Sequence, residues 1–193
     1  MKNRYQDPKK AITGPDTVMA YLTVTVPKVS KWGGPPRYGV SLIIPKTDTE
    51  TYGRLRFAMR AAYEEGLAKL QGDGGSVPDF VTLRKPLRDG DLEKPGNPAY
   101  RDSWFIDAYS RSKPGIVDAN LQPVTDPDEL YSGIIGRASI SFFAYCHGRE
   151  RGIGCGLNNL QKLRDGEPLD HRMSAEDEFG GLEDMEDEDC KPF

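Results

Sequence analysis

The stretch that most constrains this chain is 131–148, YSGIIGRASISFFAYCHG, because its residues alternate in polarity over an unusual length. Side chains of a β-strand point alternately to opposite faces, so one parity is predicted to face a core. This apolar set comprises Ile134, Gly136, Ala138, Ile140, Phe142 and Ala144. The opposite set comprises Ile135, Arg137, Ser139, Ser141, Phe143, Tyr145 and His147. A bend or bulge at Gly136 would let one long strand take part in two sides of a closed sheet. A strand of a β-sandwich that is covered on both faces fits this pattern equally well.

The rest of the chain alternates short strand patterns with turn signals and contains one helical pattern. Strands are predicted at 17–27, 37–45, 103–110, 116–117 and 153–157, and a short helical turn is predicted at 157–163. Apolar residues at helical spacing predict one amphipathic helix from about 48 to 70, capped by Thr47 or Asp48. Trp104 and Phe105 are adjacent in a strand, so we expect one of them to be buried. About five strands and one helix favour a small closed or partly closed barrel.

Charge divides the chain into a mildly basic body and an acidic end. The stretch 176–193 holds nine of the 30 acidic residues and one of the 26 basic residues, so its net charge is −8 while the remainder carries +4. We therefore predict a mobile N-terminal arm over 1–16, a folded domain over 17–172 and a disordered acidic tail over 173–193. The tail closes on Pro192-Phe193, and a hydrophobic end after a run of acids is a feature that a partner pocket can bind.

Composition argues against several classes of protein. No apolar run approaches the roughly 20 residues that span a bilayer, and the N-terminal stretch lacks an apolar signal-peptide core. The three cysteines have no paired spacing, which favours a reducing, intracellular setting. No structural zinc set, nucleophile motif or phosphate-binding Gly-Lys loop is recognisable. We therefore predict neither an enzyme nor a bound metal or cofactor.

Two similar segments, KPLRDGD at 85–91 and QKLRDGE at 161–167, carry the catalytic alternative. They pair Asp89 with Asp91 and Asp165 with Glu167, and four carboxylates can hold two metal ions for phosphodiester hydrolysis. The chain would then be a metal-dependent nuclease. Asp-Gly is also a common turn dipeptide, and an arginine precedes each pair, so we favour the turn interpretation. The glycine-rich segment 152–156 ends a strand. We therefore predict that a neighbouring group packs closely against its backbone, and not that the segment binds a nucleotide.

Aromatic and basic residues interleave at three places in the basic body. Proteins bind single-stranded nucleic acids through basic grooves and through aromatic rings on which bases stack, at roughly 1–3 kcal/mol per base. Phe142 falls on the apolar parity and is assigned to the core. The predicted DNA-binding residues are Lys31, Trp32, Arg37, Tyr109, Arg111, Lys113, Arg137, Phe143 and Tyr145.

Several segments together resemble a family of bacteriophage proteins, of which at least one is a single-stranded-DNA-binding protein with an OB-type barrel. The resemblance covers about 21–179. It is carried by YGVSLIIPK (38–46), KPLRDGD (85–91), NPAYRDSWFIDAYSRSKPGIVD (97–118), LYSGIIGRASISFFAY (130–145) and GIGCGLNNLQKLRDGEPL (152–169). It implies an OB-fold-type five-stranded barrel with one interposed helix. It also implies sequence-independent binding of single-stranded DNA in phage replication or recombination, in the host cell cytoplasm.

The resemblance leaves binding of double-stranded DNA and self-association open. The acidic tail is similar to that of bacterial single-strand-binding proteins, which end in acids followed by Asp-Ile-Pro-Phe. This chain has Cys190-Lys191-Pro192-Phe193 instead. We expect phage or host replication proteins to contact the tail through Asp187, Glu188, Asp189, Pro192 and Phe193.

Overall fold

The computed structural model describes residues 7–29, 33–72, 75–148 and 150–169. Within these ranges the strands are β1 (Lys10–Ile12), β2 (Thr17–Lys28), β3 (Arg37–Pro45), β4 (Arg88–Asp89), β5 (Ser103–Ser110), β6 (Gly115–Val117), β7 (Ile135–His147) and β8 (Glu150–Arg164). The helices are α1 (Thr49–Glu65), α2 (Leu67–Gln71) and α3 (Gly90–Glu93), with 3₁₀ turns at Pro98–Tyr100 and Pro127–Glu129. None of these helices is long and apolar enough to cross a membrane.

Five of the strands close into a ring in the order β2-β3-β5-β8-β7, with β7 pairing back onto β2. Neighbours in the ring are antiparallel except β5 and β8, which are parallel. The short strands β1, β6 and β4 extend the sheet beside β7, β8 and β5. A mainly β fold with a five-stranded ring and one main helix confirms the predicted fold class.

The predicted alternation of the long strand is confirmed. In β7 the residues Gly136, Ala138, Ile140, Phe142 and Ala144 are all buried, while the intervening residues are half-buried or exposed. The strand begins at Ile135, later than predicted, and its pairing with β8 shifts register beside Gly136. A Cβ on Gly136 would lie 1.9 Å from the carbonyl oxygen of Gln161, so a side chain at this position is excluded. The predicted irregularity at Gly136 is therefore present.

The predicted alternation of β2 breaks at Tyr21. This residue has a φ of +50°, and the register with β3 shifts between Ala20 and Thr23. Met19, which the pattern places opposite the valines, is fully buried, whereas Val26 is 67% exposed. A bulge reorients the residues that follow it, so a simple alternation cannot describe the whole strand.

The helical pattern is interrupted by close packing against the ring. Asp48 caps α1 by accepting a hydrogen bond from the Thr51 N–H at 2.9 Å, as predicted for Asp48. The helix ends at Gly66 instead of running on to residue 70. A Cβ on Gly66 would lie 2.2 Å from the Cβ of Ala144 in β7, so the chain can pass this close to the strand only as glycine. A second short helix, α2, then carries Leu70 into the core.

Two further segments differ from the sequence prediction. The helical turn predicted at 157–163 is wrong, because these residues continue β8 and pair with β7, Leu160 opposite Ala138 for example. Residues 10–12 lie in the predicted mobile arm, but they form β1 and pair with Ser139, Ile140 and Ser141 of β7. The sheet therefore begins several residues before the predicted domain boundary at 17.

We predict that adjacent phenylalanines of β7 contribute very differently to stability. Phe142 is 2% exposed and packs in the main core, whereas Phe143 is 49% exposed. Phe142→Ala should lower the free energy of unfolding by about 3–5 kcal/mol, because it leaves a cavity. Phe143→Ala should lower it by no more than about 1 kcal/mol. Equal losses in urea denaturation would contradict the assigned faces.

Candidate nucleic-acid interface

The outward face of β8 carries a stripe of glycines, Gly152, Gly154 and Gly156. These residues alternate with the buried Ile153, Cys155 and Leu157, so the stripe lies on the exterior of the ring. Burial also raises the pKa of the Cys155 thiol far above its ordinary value, so this cysteine packs as an apolar side chain.

Aromatic rings of neighbouring strands lie directly across these and other glycines. Phe143 is paired with Gly154 and Tyr145 with Gly152. A Cβ on Gly154 would lie 2.6 Å from the Phe143 ring, and one on Gly152 would lie 2.8 Å from the Tyr145 hydroxyl. Tyr109 of β5 lies in the same way across its partner in β3, Gly39. The close backbone approach predicted for 152–156 is confirmed, and the approaching groups include aromatic rings at Gly152 and Gly154 and the Arg84 carbonyl oxygen at Gly152.

A groove, here called the β3 groove, lies on the exterior of β2, β3 and β5 and has a volume of about 610 Å³. Its lining includes the aromatic residues Tyr21, Tyr100 and Tyr109 and the cations Lys28, Arg37 and Lys94. In OB folds the face of the second and third strands, with the loop between the first two, is the usual site of oligonucleotide binding. Here β2, β3 and β5 are the first three strands of the ring.

The β3 groove is electropositive. Lys28, Arg37 and Lys94 form no salt bridge with another described residue. Asp107, the acid in the lining, is paired with Arg88. Burial, with a smaller effect from Asp107, raises the pKa of Tyr109. Its phenol therefore stays neutral at pH 7, and an uncharged ring does not repel a phosphate chain.

The β3 groove continues onto the glycine stripe. Gly156 pairs with Tyr109 on one side, and a Cβ at Gly156 would lie 3.8 Å from the Phe143 ring on the other. Because paired residues of adjacent strands point to the same face, Tyr109 and Phe143 lie on one exterior surface. We call the surface from the β3 groove through Tyr109 and Phe143 to Tyr145 the aromatic path.

Part of the predicted DNA-binding set lies on the aromatic path. Arg37, Tyr109, Phe143 and Tyr145 are on it. Arg111 and Lys113 are exposed in the loop that follows Tyr109. Arg137 is exposed on the outward face of β7, but it lies six positions before Phe143, a distance of about 20 Å along the strand. Outside the described residues lie Lys31, Trp32, Asp187, Glu188, Asp189, Pro192 and Phe193.

Three residues of the groove, Tyr21, Lys28 and Lys94, are not in the set predicted from the sequence. Alternation predicts Tyr21 on a regular strand face, whereas its exposure depends on a bulge that alternation does not reveal. Lys28 is the last residue of β2, and its position four residues before Trp32 was the available signal. Lys94 belongs to a turn-rich segment, and no local pattern connects it to β3.

Lysines hold three of the four acids in the two predicted pairs. The Lys46 ammonium is 2.7 Å from both Asp89 and Asp91, and the hydrogen bond from Lys46 lowers the pKa of Asp91. Asp165 is 2.8 Å from Lys162, and this contact lowers the pKa of Asp165. Asp89 also caps α3 by accepting from the Asp91 N–H, as the turn interpretation requires. Among the described residues no group of three or more His, Cys, Asp or Glu could hold a metal ion.

A five-stranded ring with basic and aromatic residues on its exterior is typical of OB-like single-strand-binding proteins, and solved phage structures share the fold. The single-stranded DNA-binding protein of bacteriophage Enc34, solved in complex with ssDNA, is 20% identical; 84% of this chain and 90% of that chain align with a TM-score of 0.66. The single-stranded DNA-binding protein gp2.5 of bacteriophage T7 is 12% identical, with coverage of 96% and 98% and a TM-score of 0.56.

Residues 9–190 match the sequence model of the family described as Enterobacter phage Enc34, ssDNA-binding protein, and the chain belongs to this family. It is also 26% identical over 157 residues to the protein p50 of Acyrthosiphon pisum secondary endosymbiont phage 1. That alignment covers 79% of this chain and 83% of p50. Neither the three lysine-bound acids nor these comparisons support the nuclease alternative.

Proposed function

We propose that this protein binds single-stranded DNA independently of sequence along the aromatic path. It would protect and organise single strands during phage replication or recombination in the host cytoplasm, without catalysing a reaction. The observation that carries the proposal is the continuity of the path, on which groove cations lead to half-exposed rings. Tyr109 is 50% exposed and Phe143 is 49% exposed. Membership of the phage ssDNA-binding family supports the same function.

The geometry suits single strands because it offers two complementary kinds of contact. The cations Lys28, Arg37 and Lys94 can neutralise phosphates, which releases counterions and makes binding depend on salt. The rings of Tyr109 and Phe143 lie over glycines, so each presents a face on which an unpaired base can stack. Stacking tolerates every base. We therefore expect the affinity to depend little on base sequence. Binding of double-stranded DNA and self-association of the protein can be measured beside binding of single strands.

We predict that loss of either ring weakens DNA binding without unfolding the protein. Tyr109→Ala and Phe143→Ala should each weaken binding of a single-stranded oligonucleotide by about 1–3 kcal/mol in fluorescence anisotropy. Phe57→Ala is the matched control, because Phe57 is 67% exposed on α1 and lines neither the β3 groove nor the aromatic path.

The affinity of the unmodified protein for single-stranded DNA should fall steeply as the salt concentration rises. The logarithm of the binding constant should fall by about 0.7 per tenfold increase in salt for each phosphate contact.

Absence of binding to a long single-stranded oligonucleotide at low salt would refute the proposed function. Equal affinity of the three alanine variants would refute the aromatic path while leaving DNA binding intact.

The acidic tail supplies a second part of the proposal. We infer that the stretch 173–193 competes with DNA for the β3 groove, and that DNA displaces it towards replication proteins. The last described residue, Leu169, packs beside Ala20 and Tyr100, next to the groove. A segment of net charge −8 therefore starts close to an electropositive surface. A short flexible tether gives an effective concentration of order mM.

Truncation after Ser174 should therefore tighten DNA binding, and most at low salt, where charges are screened least. It should also abolish partner contacts that depend on Phe193. Salt titrations of the full-length and truncated proteins on one oligonucleotide test this competition. Coincident titration curves of the two proteins would mean that the tail does not compete with DNA. If truncation lowers only the solubility of the protein, the tail is a solubilising segment.

A further inference from the structure

A second concavity, here called the side chamber, adjoins the β3 groove and has a volume of about 660 Å³. Its walls come from β2, from the turn at 96–100 and from the segment 167–169. Tyr21 and Tyr100 line both the side chamber and the β3 groove, so the two spaces meet at these residues. The described surface therefore continues beyond the aromatic path in a second direction.

Hydrogen bonds fix the walls of the side chamber. The Leu169 N–H donates to the carbonyl oxygen of Ser132 at 2.9 Å. The Ser132 hydroxyl in turn accepts from the Tyr21 N–H at 3.0 Å. On the opposite wall the Asn97 side chain accepts from the Ala99 N–H at 3.1 Å. The chamber is thus preformed, as binding sites for small groups usually are.

Tyr21 occupies the junction in an unfavourable backbone conformation. Its φ of +50° is rare for a bulky residue, and such a position is energetically unfavourable. Glycine would adopt it without this penalty. The strained residue nevertheless presents an aromatic side chain that is 58% exposed, between two concave surfaces. Strain retained at an exposed ring points to a role in binding rather than in folding.

The charges of the two spaces differ in a way that defines the occupant. The β3 groove presents Lys28, Arg37 and Lys94, whereas Glu167 is the charged residue among the described ones that line the chamber. A carboxylate at the wall disfavours a phosphate. Pro98 and Leu169 offer apolar surface, and Asn97 offers hydrogen-bonding groups. These features suit a nucleobase, which is flat, largely apolar on its faces and polar at its edge.

We propose that the side chamber is an additional nucleobase subsite, reached over Tyr21. The bound strand keeps its phosphates above the cations of the β3 groove, stacks one base on the Tyr21 ring and turns the next base into the chamber. Lys94 lies two residues before Gly96 and lines the groove at this boundary, where it can hold the phosphate of the turning nucleotide. The inference rests on the proposed single-strand binding and extends it to residues outside the aromatic path.

Two variants and two matched controls test the subsite by anisotropy with fluorescein-labelled oligothymidylate of about 16 nucleotides, the upper end of OB-fold site sizes. Tyr21→Gly removes the ring and the strain, with Phe57→Ala as control. Gly96→Glu places a negative charge at the chamber, with Gly53→Glu on α1 as control. A Cβ at either glycine would have no non-neighbouring atom within 4 Å, so both glutamates fit without steric conflict.

Tyr21→Gly should melt at or above the temperature of the unmodified protein and bind the oligonucleotide about 5- to 150-fold more weakly. Gly96→Glu should bind more weakly than Gly53→Glu. If Tyr21→Gly and Gly96→Glu match their controls while Tyr109→Ala weakens binding, the subsite is refuted and the proposed function stands. If Tyr109→Ala also binds normally, the aromatic path fails as well. Should Tyr21→Gly unfold, its ring is structural, and the assignment of Tyr21 is overturned.

Discussion

The antiparallel ladder between β7 and β8 is the contact on which the rest of the structure depends. It pairs every residue from Gly136 to His147 with β8. Its inward side chains, Phe142 and Cys155 among them, fill the core, and β7 also carries β1 and closes the ring onto β2. On the outward face of β8 the ladder places Gly152 and Gly154, across which the rings of Tyr145 and Phe143 of β7 lie. One ladder thus builds the core on one face and the candidate binding surface on the other.

The outward glycines explain how a sheet can present aromatic rings without burying them. A side chain at Gly154 would occupy the space of the Phe143 ring, and a side chain at Gly39 would occupy that of Tyr109. Glycine weakens a strand because it adds no packing of its own. A ring from the neighbouring strand covers the exposed backbone and recovers part of that loss. The same pairing leaves one ring face open, which is the geometry that base stacking requires.

Much of this fold could be predicted because strands of regular alternation dominate it. The bounds of β3 and β5 and the two faces of β7 followed from periodicity, since burial of one face imposes a period of two. The sequence did not reveal the bulge at Tyr21 or the helix break at Gly66. Both depend on contacts distant in sequence, with Ser132 and Ala144. For the same reason, local clustering identified Tyr109 and Phe143 but missed Tyr21 and Lys94, which only the closed ring brings to the groove.

In the proposed binding surface, a glycine in one strand positions an aromatic ring from the next strand. The most direct measurement is a double-mutant cycle of Gly154→Val and Phe143→Ala, with affinity for a single-stranded oligonucleotide as the readout. Because valine at 154 displaces the ring, each single variant should weaken binding by a similar factor, and the double variant should be no weaker than either. Independent, additive losses, or normal binding by folded Gly154→Val, would contradict the account.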